Sequence, residues 1–419
     1  MKSNAAPNCD SPTAGLLSIA AAIARLQHSA APVSEVEKVT LVDALGRVCA
    51  DTLRSAIDIP PWPNSSVDGY AVRHVDLDQT KRMTLRVSQR IPAGIMGSPL
   101  EPGTAARIFT GAPLPDGADT VVMQEDCDES LGSVSVNSPV SLGDGVREAG
   151  EDIHRGDIVA RAGQIIRAQD IGLAASIGIA TLPVKRRLRV GLFATGDELA
   201  MPGQPLAPGQ IYNTNLYLLW AALQKLGCEV ISFGMVRDEL NSTVHTLQNA
   251  ATCCDLIISS GGVSVGEEDH VRTALLQLGE LDFWRIAVKP GKPLAFGRIG
   301  GASFLGLPGN PVSAWVTFCL FAAPFIRLRQ GADYAAPRAI TAAARFSRTN
   351  RGVREEYVRA RTLHDHSSGQ QTQVEIHPNQ SSGAFSSVPW SEGLVKIEAD
   401  RTIKPGNEVE FYPYSEFGL

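Results

Sequence analysis

The stretch Ser259-Ser260-Gly261-Gly262-Val263-Ser264-Val265-Gly266-Glu267-Glu268-Asp269 constrains this chain more than any other. Ahead of it, Asp255-Leu256-Ile257-Ile258 has the apolar character of a fully buried parallel strand. Behind it, residues 269–279 read as a helix with Val271, Ala274, Leu275 and Leu278 on one face. The glycines therefore sit where a strand gives way to a helix, a place where amide N–H groups are free and the helix dipole favours an anion. Glycine lets that backbone come close to a ligand, and Ser260 and Ser264 add hydroxyl donors. A tight turn would account for the glycines alone. The acids Glu267, Glu268 and Asp269 beside them are what a phosphate bound through a divalent cation calls for.

The surrounding pattern extends this reading. Residues 188–194, 229–236 and 256–259 read as strands, residues 216–226 and 244–251 as helices between them, and residues 314–328 as a closing helix. Strands and helices taking turns imply a parallel sheet with right-handed crossovers. Ligands of such sheets bind at the carboxyl ends of the strands. The first strand ends in Thr195-Gly196-Asp197-Glu198, the second in Arg237-Asp238, the third in the glycine stretch. A fourth, at residues 284–288, leads into Lys289-Pro290-Gly291-Lys292-Pro293. Carboxylates Glu198, Asp238 and Asp269, a glycine cradle, and Lys289 and Lys292 thus gather on one rim. That set describes a site for an anionic, phosphorylated ligand with a divalent metal.

Elsewhere the chain divides into further units. At 419 residues and 44% hydrophobic content it can bury several cores. Residues 1–15 have the composition of a disordered tail. Helices are expected at 16–27, near 40–48 and at 168–177. Short β runs at 83–89, 105–109, 120–124 and 134–136 imply a small β domain over residues 58–146, inserted into an elongated unit made from 16–57 and 147–187. The α/β domain occupies 188–331, and β-type alternation from 332 to 419 implies a C-terminal barrel or sandwich.

Composition excludes several classes. A net charge of −6 recommends no nucleic-acid surface. Seven cysteines without a C-x-x-C spacing suit reduced thiols in a cytoplasmic protein. The apolar run 312–326 is short for a membrane span and carries Pro324, so it reads as a buried core helix. No P-loop, no G-x-G-x-x-G opening a helix and no nucleophile elbow is present. The eight histidines show no metal-ligand spacing, and His270 reads as a surface residue of its helix.

Taken together, Ser260-Gly-Gly-Val-Ser-Val-Gly-Glu-Glu-Asp269, Thr195-Gly-Asp-Glu-Leu199, Lys289-Pro-Gly-Lys-Pro293 and Leu307-Pro-Gly-Asn-Pro-Val-Ser313 resemble the molybdopterin molybdenumtransferases, the MoeA and gephyrin E-domain family. Asn64-Ser-Ser-Val-Asp-Gly-Tyr-Ala71 and Arg107-Ile-Phe-Thr-Gly-Ala112 match the same family. The resemblance covers nearly the whole chain after the tail. It implies a cytoplasmic homodimer of four subdomains that takes adenylylated molybdopterin and molybdate, with Mg²⁺, and releases molybdenum cofactor and AMP. It further implies that Asp269, Glu198 and Asp238 serve the metal and the pterin phosphate. Gly196, Ser260, Gly261, Gly262, Ser264, Pro308 and Asn310 would line the pterin site. Lys289 and Lys292 would offset charge, and Asp68 and Thr110 would reach into a facing protomer's site. Arg354, Ser382 and Ser386 would line it from the C-terminal domain. Molybdopterin adenylyltransferase and molybdoenzyme chaperones are the implied protein partners. Adenylyltransferases built on the same α/β module, and non-catalytic scaffolds that carry it, are the alternatives. The long flanking regions count against the first and the acidic set against the second.

Overall fold

A computed structural model describes residues 16–78, 81–263, 270–333, 335–363 and 372–419. Its central sheet runs in the order Glu229–Val236, Arg189–Thr195, Leu256–Ser260, Ala302–Leu307, Pro293–Ile299, Glu280–Arg285. The first four strands are parallel and the last two antiparallel. Side-chain alternation decides what each strand buries. Val190, Leu192, Leu256, Ile258 and Leu305 face one core, which also receives the helices Ile19–Ser29, Thr214–Lys225 and the long helical stretch from Pro311. Phe193, Ile257 and Phe304 face the other, against the helices Leu240–Cys253 and His270–Leu278. Both faces are covered, which is why these strands read as continuous apolar runs.

Two sequence expectations fail here. Residues 284–288 do not form a fourth parallel strand. Glu280–Arg285 is an antiparallel edge strand, and Val288–Lys289 leaves the sheet to pair with Glu355–Leu363 of the C-terminal domain. The fourth parallel strand is Ala302–Leu307, which ends in the Pro308–Pro311 turn. The hairpin Pro293–Ile299 to Ala302–Leu307 hid because both of its strands are mainly apolar and only Gly300 and Gly301 mark the turn between them. Residues 40–48 are not helical either. Val36–Thr40 is a strand paired with Thr181–Lys185, followed by successive i→i+3 turns, one fixed by Thr40 Oγ1 donating to Asp43 at 2.6 Å.

The pairing of Val36–Thr40 with Thr181–Lys185, and of Leu53–Arg54 with Ile158–Ala160, joins chain from the two sides of the small β domain. That domain holds a six-stranded sheet in which Gly69–Val72 lies between Thr120–Met123 and Thr104–Ile108. Gly69 has to lack a side chain, since a Cβ there would overlap the Val122 carbonyl oxygen. At the other end of the chain, Glu355–Leu363, Gln373–Ile376, Ile340–Ala344, Glu408–Pro413 and Gly393–Ile397 close into a five-stranded barrel, because the last strand pairs back onto the first.

The helical stretch Pro311–Arg329 spans 19 residues at mean hydropathy 1.5, and 78% of its apolar window is buried. It passes through a wide turn at Phe318–Ala322 ahead of Pro324. The helix is a core element, packed on the parallel strands and on the barrel residues Tyr357 and Leu394.

Candidate active site

A cleft of about 430 Å³ opens at the carboxyl ends of the parallel strands. Each wall comes from a strand end. Arg189–Thr195 delivers Thr195, Gly196 and Glu198; the loop after Glu229–Val236 delivers Asp238; Leu256–Ser260 delivers Ser260, Gly261, Gly262 and Val263. The turn after Ala302–Leu307 delivers Pro308, Gly309 and Asn310. Of the residues expected from sequence, Glu198, Asp238, Gly196, Ser260, Gly261, Gly262, Pro308 and Asn310 all line this cleft. Ser264 and Asp269 lie outside the described residues.

The glycines are there because the backbones cross closely. Gly261 has φ +90° and Gly262 φ +67°, a region side chains disfavour. A Cβ on Gly261 would overlap the Thr195 carbonyl oxygen. The Gly261 amide is not free for an anion, since it donates to the Leu307 carbonyl at 3.1 Å. Among the described residues, the Gly262 and Val263 amides have no acceptor. Ser260 is likewise engaged: its hydroxyl accepts from Asn215 Nδ2 at 2.8 Å and lies 3.5 Å from the Pro308 carbonyl. Asn215 Nδ2 also donates to the Gly309 carbonyl at 2.6 Å, so it ties the glycine turn to the Pro308–Pro311 turn.

Asn213 and Asn215 were missed in the sequence, and both line the cleft. Asn213 caps the helix Thr214–Lys225, its side-chain oxygen accepting from the Leu216 amide at 3.1 Å. The Asn-Thr-Asn run directly before an apolar helical pattern was the legible signal. Asn213 Nδ2 and Asn215 Oδ1 are buried without a partner among the described residues. Two orphaned polar atoms on neighbouring cleft residues call for a partner that the chain itself does not supply.

The carboxylates are oxygen donors in a setting with no soft ligand. Asp238 accepts from Thr195 Oγ1 at 3.4 Å, and Glu198 folds back over Gly196, whose missing Cβ leaves room for the carboxylate. Among the described residues no three of His, Cys, Asp and Glu form a complete metal set. Two carboxylates with hydroxyls nearby nevertheless fit Mg²⁺, which keeps waters and takes one or two carboxylates plus substrate phosphate oxygens.

The lysines are elsewhere, as the corrected topology requires. Lys289 and Lys292 stand at the junction between the α/β domain and the barrel, and neither lines the cleft. Lys289 Nζ is 2.9 Å from Glu356, and Arg348 Nη2 is 2.7 Å from the same carboxylate. Burial alone would push Glu356 up, but bonds from Arg348 and Lys289 outweigh it and hold the carboxyl below its usual range. Lys292 has no ion pair among the described residues. Arg354 donates to the Val288 carbonyl at 3.1 Å. Ser382 approaches through its backbone, its carbonyl accepting from the Val312 amide at 3.1 Å, while Ser386 precedes the short helix Ser387–Trp390. Asp68 and Thr110 form a pair on the β domain: the Thr110 amide and hydroxyl both donate to Asp68 Oδ1 at 2.8 Å. These bonds hold half-buried Asp68 below the usual carboxylate range.

With this geometry in view, three family models match the chain in order. They are the MoeA N-terminal region (domain I and II) at residues 17–178, a probable molybdopterin binding domain at 191–328, and the MoeA C-terminal region (domain IV) at 341–414. A molybdopterin molybdenumtransferase of Haemophilus influenzae is 37% identical over 388 residues, covering 91% of this chain and 95% of its own. The chain belongs to the molybdopterin molybdenumtransferase family. It is a transferase of molybdenum cofactor biosynthesis. The family's member from a Nostoc species is 40% identical over 301 residues, 70% of this chain and 69% of that one. Among solved structures, a molybdopterin biosynthesis moeA protein from Pyrococcus horikoshii superposes with a TM-score of 0.82 at 28% identity, covering 95% of this chain and all of its own, 100%.

Proposed function

We propose that this transferase inserts molybdate into adenylylated molybdopterin and releases AMP in an Mg²⁺-dependent step. The observation that carries the reading is the meeting of Glu198, Asp238 and the turn at Gly261–Val263 in one cleft. In this reading Glu198 and Asp238, with Asp269, hold Mg²⁺, and the open amides of the glycine turn bind phosphate oxygens. Held by these carboxylates, Mg²⁺ would supply positive charge against the phosphate and the departing AMP. Asn213 and Asn215, with buried polar atoms lacking partners, orient the pterin. Lys292 and Arg354 receive the molybdate dianion, whose approach to a phosphorylated ligand is otherwise repulsive by on the order of 4 kcal/mol per charge pair at about 4 Å. Lys289 keeps Glu356 neutralised beside them. No protein nucleophile takes part; positioning and charge stabilisation supply the acceleration.

The active unit in this proposal is a cytoplasmic homodimer. Asp68 and Thr110 of one protomer complete the site of its partner, which accounts for an acid held ionised on a domain with no cleft residue of its own. The test is incubation of the protein with adenylylated molybdopterin, Mg²⁺ and molybdate. Molybdate-dependent AMP release with cofactor formation is the expected result. ATP consumption with free molybdopterin would make the protein an adenylyltransferase instead, and binding without turnover would make it a scaffold.

A further inference from the structure

Far from the cleft, two adjacent thiols are arranged for joint chemistry. Cys253 is the last residue of the helix Leu240–Cys253, and Cys254 is already extended, with φ −115° and ψ 150°. Consecutive side chains diverge by about 100° within a helix and point to opposite faces within a strand. At this change of backbone state the two sulfurs instead come within 3.7 Å of each other. Cys254 is 7% exposed and belongs to the core beneath the sheet. Its sulfur lies over Gly191, where a Cβ would approach it to 3.0 Å. Packing therefore fixes one sulfur, while Cys253 is open to solvent.

We propose that Cys253 and Cys254 form a two-thiol binding site for trivalent arsenicals of the R–As=O class. An atom about 2.3 Å from each sulfur, the length of a metal–thiolate bond, would subtend close to a tetrahedral angle at the observed separation. A small rotation of the exposed Cys253 side chain closes the ring. Two As–S bonds form, the As=O bond breaks, and the two S–H protons leave with that oxygen as water. No oxidation state changes, so no oxidant is required. Burial pushes Cys254 up to about 12, which keeps it a neutral thiol. Reagents that need a thiolate are thereby disfavoured at Cys254, whereas an arsenical receives the proton on its own oxygen. Cys254 precedes Ser260 by roughly 20 Å of extended strand, so the site is separate from the cleft.

Phenylarsine oxide is the probe. The full chain is loaded with it, challenged with excess 2-mercaptoethanol and measured by intact mass. One phenylarsenic per chain should survive the monothiol and be removed by 2,3-dimercaptopropanol. In Cys253→Ser, an exposed change that keeps the thermal melt of the parent, retention should fall on the order of a hundredfold, the usual scale of losing a second tethered contact. Loss of the parent's adduct to 2-mercaptoethanol would overturn the proposal. So would an undiminished adduct in Cys253→Ser.

Discussion

Asp255 shows how one side chain can hold several segments at once. Its carboxylate accepts from Arg186 Nη1 and Nη2 at 3.0 and 3.1 Å and from the Arg189 amide at 2.8 Å. Burial pushes Asp255 up, yet the Arg186 and Arg189 hydrogen bonds and the guanidinium charge leave it below its usual 3.8. A carboxylate with a lowered folded-state pKa stabilises the fold above the unfolded value and loses that contribution as the pH falls through the folded one. Asp255→Ala should therefore cost about 2–3 kcal/mol near neutrality, with largely buried Arg186 left only the exposed Glu35 as an ionic partner. The cost should shrink progressively as the pH falls below about 4 and through the lowered folded-state value, where protonation removes the parent's advantage. Urea unfolding at pH 7 and at pH 3 checks both; an equal cost at the two values would contradict the assignment. The two lysines separate at the same scale. Lys289→Ala leaves Glu356 still bonded to Arg348 and should cost about 1–2 kcal/mol of stability. Lys292→Ala should leave the melt unchanged and raise the KM for molybdate. Thermal melts beside molybdate titrations of AMP release distinguish them.

At the level of elements, the cleft depends on how closely the strand ends cross. Gly261→Ala places a side chain on a positive-φ residue and against the Thr195 carbonyl. Its cost should be on the order of 2–4 kcal/mol, and the shift of the turn should abolish AMP release even where the protein stays folded. A variant with parental melt and turnover would mean the turn adapts freely. The strands around this turn were legible because burial on both sides leaves apolar runs between polar ends, as in Leu256–Ser260. The hairpin Pro293–Ile299 to Ala302–Leu307 was not, for its antiparallel pairing leaves the same apolar run as a parallel one. The 40–48 segment misled for the opposite reason. Its apolar spacing suits a helix, but Val39 and Leu41 pack against Leu182 and Val184, and pairing with Thr181–Lys185 prevails over local preference.

For the molecule as a whole, the expected site is divided over domains. Carboxylates and glycines lie in the α/β cleft, cations at its junction with the barrel, and Asp68 with Thr110 on the inserted β domain. If Asp68 serves a partner's cleft, then Asp68→Ala and Glu198→Ala, each inactive alone, should complement when mixed. Random exchange in a two-fold dimer leaves about a quarter of all sites intact, so activity should return to about that fraction of the parent's. Refolding or co-expression of the two variants followed by the AMP assay tests this. No recovery would place Asp68 in its own protomer's site or outside catalysis.

The sequence by itself determined the α/β core, the strand-to-helix glycine turn and the acids at the strand ends. These depend on local periodicity and on backbone demands that few residues meet. Its ordered motifs also pointed to the molybdenumtransferase family, to which the chain belongs. Only the tertiary structure decided which strand carries the fourth rim position and that Lys289 is bound to Glu356. It alone brought Asn213 and Asn215 to the cleft wall and closed the C-terminal strands into a barrel. Those features are pairings between residues distant in the chain. Strand order, register and ion-pair choice depend on what the other segments leave unpaired, which no local pattern records.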